Sequence, residues 1–180
     1  MIKAILFLIF IIFVSNSNAD QNSPQLDNLF EDLYKVQDLT QQNKIVSNIW
    51  SEWMKTDNPE SQKIMDMIPY FFQTRNYDEA IEALSYVIEQ EPNFSEAYNK
   101  RATFYFMMGD FENSMKDIES TLALEPRHFG ALDGMSRILI SYQQYEQAFQ
   151  VYEEMMSLMP NDVTLHMKMD RLSKLMYDDA

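Results

Sequence analysis

The sequence predicts an all-α solenoid of about nine helices, built from stacked helical hairpins. Three prolines stand 34 residues apart, at Pro92, Pro126 and Pro160, and each follows an amphipathic segment. Each unit also carries a small residue at one equivalent place: Ala80, Ser114 and Ala148. A fixed period of this length is typical of hairpin arrays, because a single hairpin cannot bury its apolar face alone. The period therefore indicates the fold class before any single motif is considered.

The core positions agree among three units, residues 61–94, 95–128 and 129–162. In the middle unit they are Tyr98, Ala102, Tyr105, Gly109, Phe111, Ser114, Ile118, Thr121 and Pro126. The preceding unit supplies Ile64, Ile68, Phe71, Tyr77, Ala80, Leu84, Val87 and Pro92. The following unit supplies Leu132, Ser136, Leu139, Tyr145, Ala148, Tyr152, Met155 and Pro160. This pattern closely resembles the tetratricopeptide repeat. The resemblance implies a right-handed superhelix whose first helices line a concave groove, and an interaction with another protein as the function.

Some positions depart from the family pattern. Gly occupies the turn between paired helices at Gly109, whereas Arg75 and Gln143 stand at the matching places. A left-handed backbone is costly without Gly, so we expect those two turns to be built differently. Pro69 falls inside the first helix of the first unit, where it removes a hydrogen bond. We therefore expect that helix to be kinked or to start late.

Two polar residues inside the repeats have alternative interpretations. Arg101 takes a place that the family usually fills with Leu, and it could contact a ligand. Alternatively, its stem packs in the hairpin and its guanidinium pairs with an acid, for which Asp117 is the candidate. His128 lies in the loop between two units, where we expect it to cap a helix or to contact solvent.

The N-terminal segment is expected to direct export. Residues 1–19 combine a basic start, an apolar run from Ala4 to Val14 and a small-x-small site ending at Ala19. The run is too short to span a bilayer, so we expect a secretory signal peptide cleaved before Asp20. An uncleaved anchor is the alternative.

Two further segments flank the repeats. Residues 20–60 predict an N-terminal helical hairpin, which we interpret as a degenerate or capping repeat. Its second helix carries Trp50 and Trp53, which could form an exposed docking surface. Alternatively, they are buried against the first repeat, because a repeat array needs a terminal unit that covers the end of its core. Residues 163–180 predict one amphipathic C-terminal capping helix.

Charge and composition argue against several classes of function. The chain carries 14 Lys and Arg against 28 Asp and Glu, a formal net charge of −14. Such a surface repels phosphate backbones and anionic lipids, so we expect no nucleic-acid partner and no stable membrane insertion after signal cleavage. The sequence has no Cys and no phosphate-loop, zinc-protease or nucleophile-elbow motif. We therefore expect no enzyme, no catalytic residue and no cofactor.

Methionine and histidine leave one alternative open. The chain has 14 Met, and thioethers beside an imidazole, as in the segment from His166 to Met169, can bind Cu(I). Methionine also fills irregular cores, and Met67, Met135 and Met155 fall on repeat core positions. We expect core filling and no metal site, and we retain a small-ligand or Cu(I) carrier as the alternative function.

The predicted partner site is the concave groove. Positions five, nine and twelve of the first helices share a stripe that is turned away from the core. Along this stripe, the residues expected to contact a partner are Phe72, Asn99, Thr103, Phe106, Asp133, Arg137 and Ile140. Phe72, Phe106 and Ile140 would form an apolar floor for an extended or helical peptide. The alternative is that the two Phe residues pack against neighbouring first helices.

Recognition of a C-terminal carboxylate is one activity that the resemblance could imply. Family members that clamp such a carboxylate use a set of Lys, Asn and Arg side chains, of which Asn99 and Arg137 are only a fragment. The sequence thus predicts a non-catalytic interaction module or assembly scaffold, exported and soluble, whose partner is an unidentified protein or peptide. The periplasm of a Gram-negative bacterium is the first expectation for its location, and secretion is the alternative.

Overall fold

The computed structural model describes residues 23–178, which form nine helices and no strand. The helices are α1 Pro24–Lys35, α2 Leu39–Trp53, α3 Pro59–Thr74, α4 Tyr77–Gln90, α5 Ser95–Met108, α6 Phe111–Leu124, α7 Phe129–Ser141, α8 Tyr145–Leu158 and α9 Val163–Asp178. The predicted all-α solenoid is confirmed. The predicted signal peptide lies outside the described residues. Within them, none of the helices has both the length and the apolar character that a bilayer span requires.

Polar caps and prolines set where two of the helices begin. The side chain of Asn58 accepts hydrogen bonds from two backbone N–H groups of α3, and Pro59 follows it. Ser23 and Pro24 begin α1 in the same way. The first backbone N–H groups of a helix have no hydrogen-bond partner inside the helix. A proline at this place therefore removes no helical hydrogen bond, and a side-chain oxygen just before the helix can accept a hydrogen bond from one of these N–H groups.

The three predicted repeats form the helix pairs α3–α4, α5–α6 and α7–α8. Each pair closes around its small residue, and Ala80, Ser114 and Ala148 are at most 1 % exposed. The Ser114 hydroxyl donates to the carbonyl of Ala102 on the facing helix at 2.8 Å, so its polar group is satisfied. A larger side chain at these places would force the paired helices apart.

The three turns inside these pairs share one backbone conformation. Gly109 has a φ of 78°, and Arg75 and Gln143 have φ values of 56° and 58°. Each turn is closed by the same long backbone hydrogen bond, as from the N–H of Asp110 to the carbonyl of Tyr105 at 2.9 Å. The expectation that the turns without Gly are built differently is therefore wrong. The closing hydrogen bonds hold the left-handed backbone in place despite the steric cost of a side chain.

The helix α3 begins at Pro59 and continues through Pro69 to Thr74, so it does not start late. The expectation that Met67 lies in the core is wrong, because Met67 is 37 % exposed. The buried residues of α3 lie on another side of the helix: Ser61, Met65, Ile68 and Phe71.

Arg101 forms the predicted ion pair. Its Nε and Nη2 donate to the two carboxylate oxygens of Asp117 at 2.7 and 2.8 Å. Its Nη1 donates to the hydroxyl of Ser85 at 2.9 Å. This paired geometry ties α5 to both α4 and α6, which confirms the interpretation of Arg101 as a packing residue.

The N-terminal hairpin, α1 with α2, packs mainly against the last repeat and α9. Its buried apolar residues share one core with residues of α7, α8 and α9: Leu26, Phe30, Leu33, Ile49 and Trp53 from the hairpin, and Phe129, Leu132, Met155 and Leu165 from the other helices. Met54, just after α2, joins the separate cluster of α3, α4 and α5. The hairpin is thus not stacked on the first repeat as one more unit.

Hydrogen bonds show how α2 runs along the solenoid. Near its start, Gln42 donates to Asp162, just before α9, at 2.5 Å. Just after its end, the Thr56 hydroxyl donates to Glu91 in the loop before α5. The helix therefore follows the edge of the solenoid, past the loops that precede α5, α7 and α9.

The tryptophans of α2 are covered by these loops. Trp53 is 2 % exposed, and its ring stacks on His128 with centroids 4.0 Å apart and an interplanar angle of 11°. Trp50 is half-buried and contacts Phe129 edge-on at 5.3 Å. The expected burial is confirmed, but the expected contact with the first repeat is wrong. The covering surface is the loop before α7 and the start of α7.

Candidate functional site

A cleft of about 240 Å³ opens between α5 and α7 on the concave side of the solenoid. Ala102 and Ile118 are buried beneath it, and Gly134 lies beside them. A Cβ atom at Gly134 would lie 3.2 Å from a methyl group of Ile118, so the absence of a side chain there leaves the cleft open. The floor is therefore apolar and made of small surfaces.

Most of the predicted contact residues surround this cleft. Five of the seven line it: Asn99, Thr103, Phe106, Asp133 and Arg137. Ile140 instead lines a neighbouring cleft of about 260 Å³, together with residues of α8 and α9. The geometry thus divides the predicted stripe between two adjoining clefts, with Asp133 and Arg137 near their boundary.

The two predicted Phe residues differ in their surroundings. Phe72 stacks on Phe104 of the neighbouring first helix, with ring centroids 4.4 Å apart. This contact corresponds to the packing alternative for Phe72. Phe106 contacts Phe111 at 5.2 Å, remains half-buried and lines the cleft. The apolar surface of the cleft therefore depends on Phe106 and not on Phe72.

A buried polar pair that the sequence did not reveal lies beside the cleft. Glu96 and His128 are both 0 % exposed, and His128 Nε2 lies 2.9 Å from Glu96 Oε2. The other ring nitrogen, Nδ1, accepts from the N–H of Ala131 at 3.1 Å, which confirms His128 as a helix cap. Because Nδ1 accepts from this N–H, the hydrogen bond to Glu96 is donated by Nε2.

The charge of Glu96 is compensated by its neighbours. Burial alone would raise the pKa of Glu96, but Lys100 and His128 together lower the pKa below its ordinary value. Lys100 Nζ lies 2.7 Å from Glu96 Oε1. The amide of Asn99 also donates to Glu96, at 2.8 Å, and Asn99 is 5 % exposed. The amide of Asn99 could therefore bind a partner only if its hydrogen bond to Glu96 were broken.

The N-terminal hairpin covers one end of the concave face. A Cβ atom at Gly130 would lie 2.4 Å from the ring of Trp50, so this ring occupies the space of the missing side chain. Lys100 Nζ lies 4.7 Å from the centroid of the same ring. Because α2 covers the beginning of α7, the open part of the cleft lies toward the C-terminal halves of α5 and α7.

An ion-pair network joins the two clefts. Asp133 accepts from Arg137 Nε at 2.7 Å through one oxygen and from Lys168 Nζ through the other. Burial by itself would raise the pKa of Asp133, but hydrogen bonds from Lys168 and Arg137 lower the pKa overall. The carboxylate is therefore charged at neutral pH and ties α7 to α9.

The histidine and methionine side chains considered for Cu(I) binding do not share one site. His166 Nε2 lies 3.0 Å from the backbone carbonyl oxygen of Pro160. Met167 is 59 % exposed, whereas Met155, which was expected to fill the core, is buried in the last repeat. Among residues 23–178, His, Asp and Glu side chains form no group of three or more that could hold a metal ion.

Solved structures share this fold at low sequence identity. The first TPR of Spaghetti (RPAP3), solved with the HSP90 peptide SRMEEVD, aligns with a TM-score of 0.62 at 21 % identity, over 68 % of this chain and 99 % of that chain. MamA protein aligns with a TM-score of 0.58 at 14 % identity, over 82 % of each chain. At these identities the likeness concerns the fold alone.

Sequence relatives identify the family. No family model matches the chain. Hsp70-Hsp90 organizing protein 3 of Arabidopsis thaliana is 30 % identical over 84 residues, which span 47 % of this chain and 15 % of that protein. A TPR repeat-containing protein of Rhizobium etli is 30 % identical over 164 residues, or 91 % of this chain and 80 % of that protein. With the repeat positions and the solenoid already described, this relationship shows that the chain belongs to the tetratricopeptide repeat family.

Proposed function

We propose that this protein is a non-catalytic interaction module or assembly scaffold, which holds a peptide or a helix of a partner protein in the cleft between α5 and α7. The observation that carries the proposal is the cleft itself. It has an apolar floor, the half-buried Phe106 on one side and the charged pair of Asp133 and Arg137 on the other. A partner that covers Phe106 removes apolar surface from water, and the charged pair fixes its orientation.

The proposed recognition differs from a clamp on a C-terminal carboxylate. The first TPR of Spaghetti, which shares this fold, is bound to an HSP90 peptide, and this supports peptide binding as the kind of function. In this chain, however, the amide of Asn99 is bonded to Glu96 and the guanidinium of Arg137 is bonded to Asp133. The two fragments of a clamp are thus engaged within the protein. We therefore propose that apolar contacts with the floor supply most of the affinity.

A double variant tests the cleft once a partner has been captured from the native compartment. Phe106→Ala with Arg137→Glu removes the apolar wall and reverses the exposed charge. We expect the affinity to fall at least about tenfold, or roughly 1.4 kcal/mol. Calorimetric titration with the purified partner measures the loss.

The matched control changes the same kinds of side chain outside the groove. Tyr34 is 57 % exposed on α1, and the side chain of Lys116 is 61 % exposed on α6. Tyr34→Ala with Lys116→Glu should leave the affinity within about twofold, equivalent to less than about 0.5 kcal/mol. Equal losses in both variants, or a loss of thermal stability with unchanged binding, would contradict the cleft as the site.

We also propose that the protein acts in an exported compartment, the periplasm in a Gram-negative bacterium or the exterior of a secreting cell. The support is the basic start, the apolar run and the small residues of residues 1–19. Mass spectrometry of exported material should find a chain that begins at Asp20. Peptides from the segment before Ala19 in that material would contradict cleavage.

A further inference from the structure

We propose that the cleft between α7 and α9 extends the groove and takes an acidic segment of a partner in which carboxylate and apolar side chains alternate. This inference rests on the proposed function, since it assigns a ligand chemistry to the same groove. The proposed ligand is acidic although the chain as a whole carries a net charge of −14.

The second cleft combines an apolar floor with a basic rim. Its volume is about 260 Å³, and its lining is Ile140, Tyr152, Lys168, Arg171, Leu172 and Leu175. Tyr152 and Leu172 are 4 % and 2 % exposed and form the floor, whereas Leu175 is 38 % exposed at the rim. Such a site offers apolar contact area to a side chain that enters it and cations to a side chain that stays at the edge.

The charge at this cleft is opposite in sign to the charge of the whole chain. Arg137 and Lys168 share the single carboxylate of Asp133. Arg171 is exposed and forms no ion pair with the side chains described in residues 23–177. The lining of the cleft itself holds two cations, Lys168 and Arg171, and no carboxylate, so its edge is basic. The exposed Asp170 and Lys174, four residues apart on α9, offset each other in charge.

Local charge decides which segment binds here. Surface charges beyond about 10 Å are largely screened at ordinary salt, so a bound segment senses these cations more than the acidic convex face. The guanidinium of Arg171 can pair with a carboxylate through two hydrogen bonds. In an extended peptide, successive side chains point to opposite sides, so alternating acidic and apolar residues place their carboxylates on one side and their apolar groups on the other. Such a segment matches the basic rim and the apolar floor.

Designed peptides test this chemistry without knowledge of the natural partner. The probes are short fluorescein-labelled peptides of alternating Glu and Leu, of alternating Gln and Leu and of alternating Lys and Leu, measured by fluorescence anisotropy on the full mature chain. We expect the Glu-Leu peptide to bind at least about tenfold more tightly than the Gln-Leu peptide, with an affinity that falls as salt is added. The Lys-Leu peptide should bind more weakly than either.

The charge of Arg171 has a matched control on the same helix. Arg171→Glu should weaken the Glu-Leu peptide at least about tenfold, whereas Lys174→Glu, which makes the same change of net charge outside the cleft lining, should weaken it less than about threefold. Leu175→Ala should weaken binding of the Glu-Leu peptide as well, because the rim loses apolar contact.

Equal binding of the Glu-Leu and Gln-Leu peptides, or equal effects of the two charge reversals, would overturn the proposal. Neither result would affect the Phe106 and Arg137 test of the first cleft, so the two proposals fail separately.

Discussion

At Arg75 and Gln143 the backbone adopts the left-handed conformation that Gly109 adopts without cost. A side chain in this conformation costs roughly 1–2 kcal/mol. Neither Arg75 nor Gln143 forms a side-chain hydrogen bond or an ion pair among the described residues that would offset this cost. The turns persist because the backbone bonds of the turn and the packed helices on either side hold them.

We therefore expect Arg75→Gly and Gln143→Gly each to raise the free energy of unfolding by about 0.5–1 kcal/mol, the steric relief less the greater chain entropy of Gly. Urea unfolding followed by circular dichroism measures this change. The control is Gly109→Ala, whose Cβ would meet no atom within 4 Å, so that a loss of stability there is purely conformational. A decrease in stability in both glycine variants would show that the turns are not strained.

One ion pair and one buried hydrogen bond show how far the sequence alone predicts side-chain contacts. The pairing of Arg101 with Asp117 was predictable, because both lie in one hairpin whose register the repeat positions define. The contact of Glu96 with His128 was not, because the two residues face each other only once α7 has stacked beside α5 and α2 has covered them. No spacing rule in the sequence marks that pair. The buried role of His128 follows from tertiary packing and not from the local motif.

At the scale of elements, amphipathic stripes and the repeat phase predicted the helices well. The helix α5 is an instructive case, because its buried residues surround most of its circumference, from Glu96 and Ala97 to Phe104. The phase of the repeat, and not an amphipathic stripe, therefore located it. The hairpin of α1 and α2 shows the limit of this approach. A stripe indicates that a face is buried, but it does not indicate which partner covers that face.

The candidate groove was predicted to a similar extent. The stripe rule placed Thr103, Phe106 and Arg137 on one open surface, and the structure brings them around one cleft. The rule left open whether Phe72 would pack against a neighbouring first helix, which it does through Phe104. It also gave no indication that α2 covers the beginning of the groove, since that depends on where a separate element docks.

At the scale of the whole molecule, the hairpin changes how the solenoid is held together. A repeat array is ordinarily stabilised by contacts between neighbouring units. Here α1 and Val36, the residue that follows it, contact loops that lie far along the chain. Arg127 Nη1 lies 2.7 Å from Asp27 Oδ1, and the amide of Asn161 donates to the carbonyl oxygen of Val36 at 2.8 Å. These contacts link the N-terminal hairpin to the second and third repeats. The stability of the C-terminal half therefore depends on residues before the first repeat.

The variant Trp53→Ala tests this long-range coupling. Trp53 is 2 % exposed and packs on His128 and Phe129, with centroid distances of 4.0 and 4.9 Å. Removing so large a buried ring should lower the free energy of unfolding by about 3–5 kcal/mol. Because the ring covers the start of α7, amide hydrogen exchange should accelerate in the hairpin and in α7, α8 and α9, with a smaller change in α3 and α4.

The matched control is Phe71→Ala, which removes another buried ring, 2 % exposed, from the cluster formed by α3, α4 and α5. Its effect on hydrogen exchange should be the reverse, with the acceleration concentrated in α3, α4 and α5. If Trp53→Ala accelerates exchange in α3 and α4 and leaves α7, α8 and α9 protected, the hairpin acts as an ordinary terminal unit on the first repeat. Acceleration of exchange in the last repeat would instead show that the N-terminal hairpin stabilises the C-terminal end of the groove, because the hairpin and that repeat share one core.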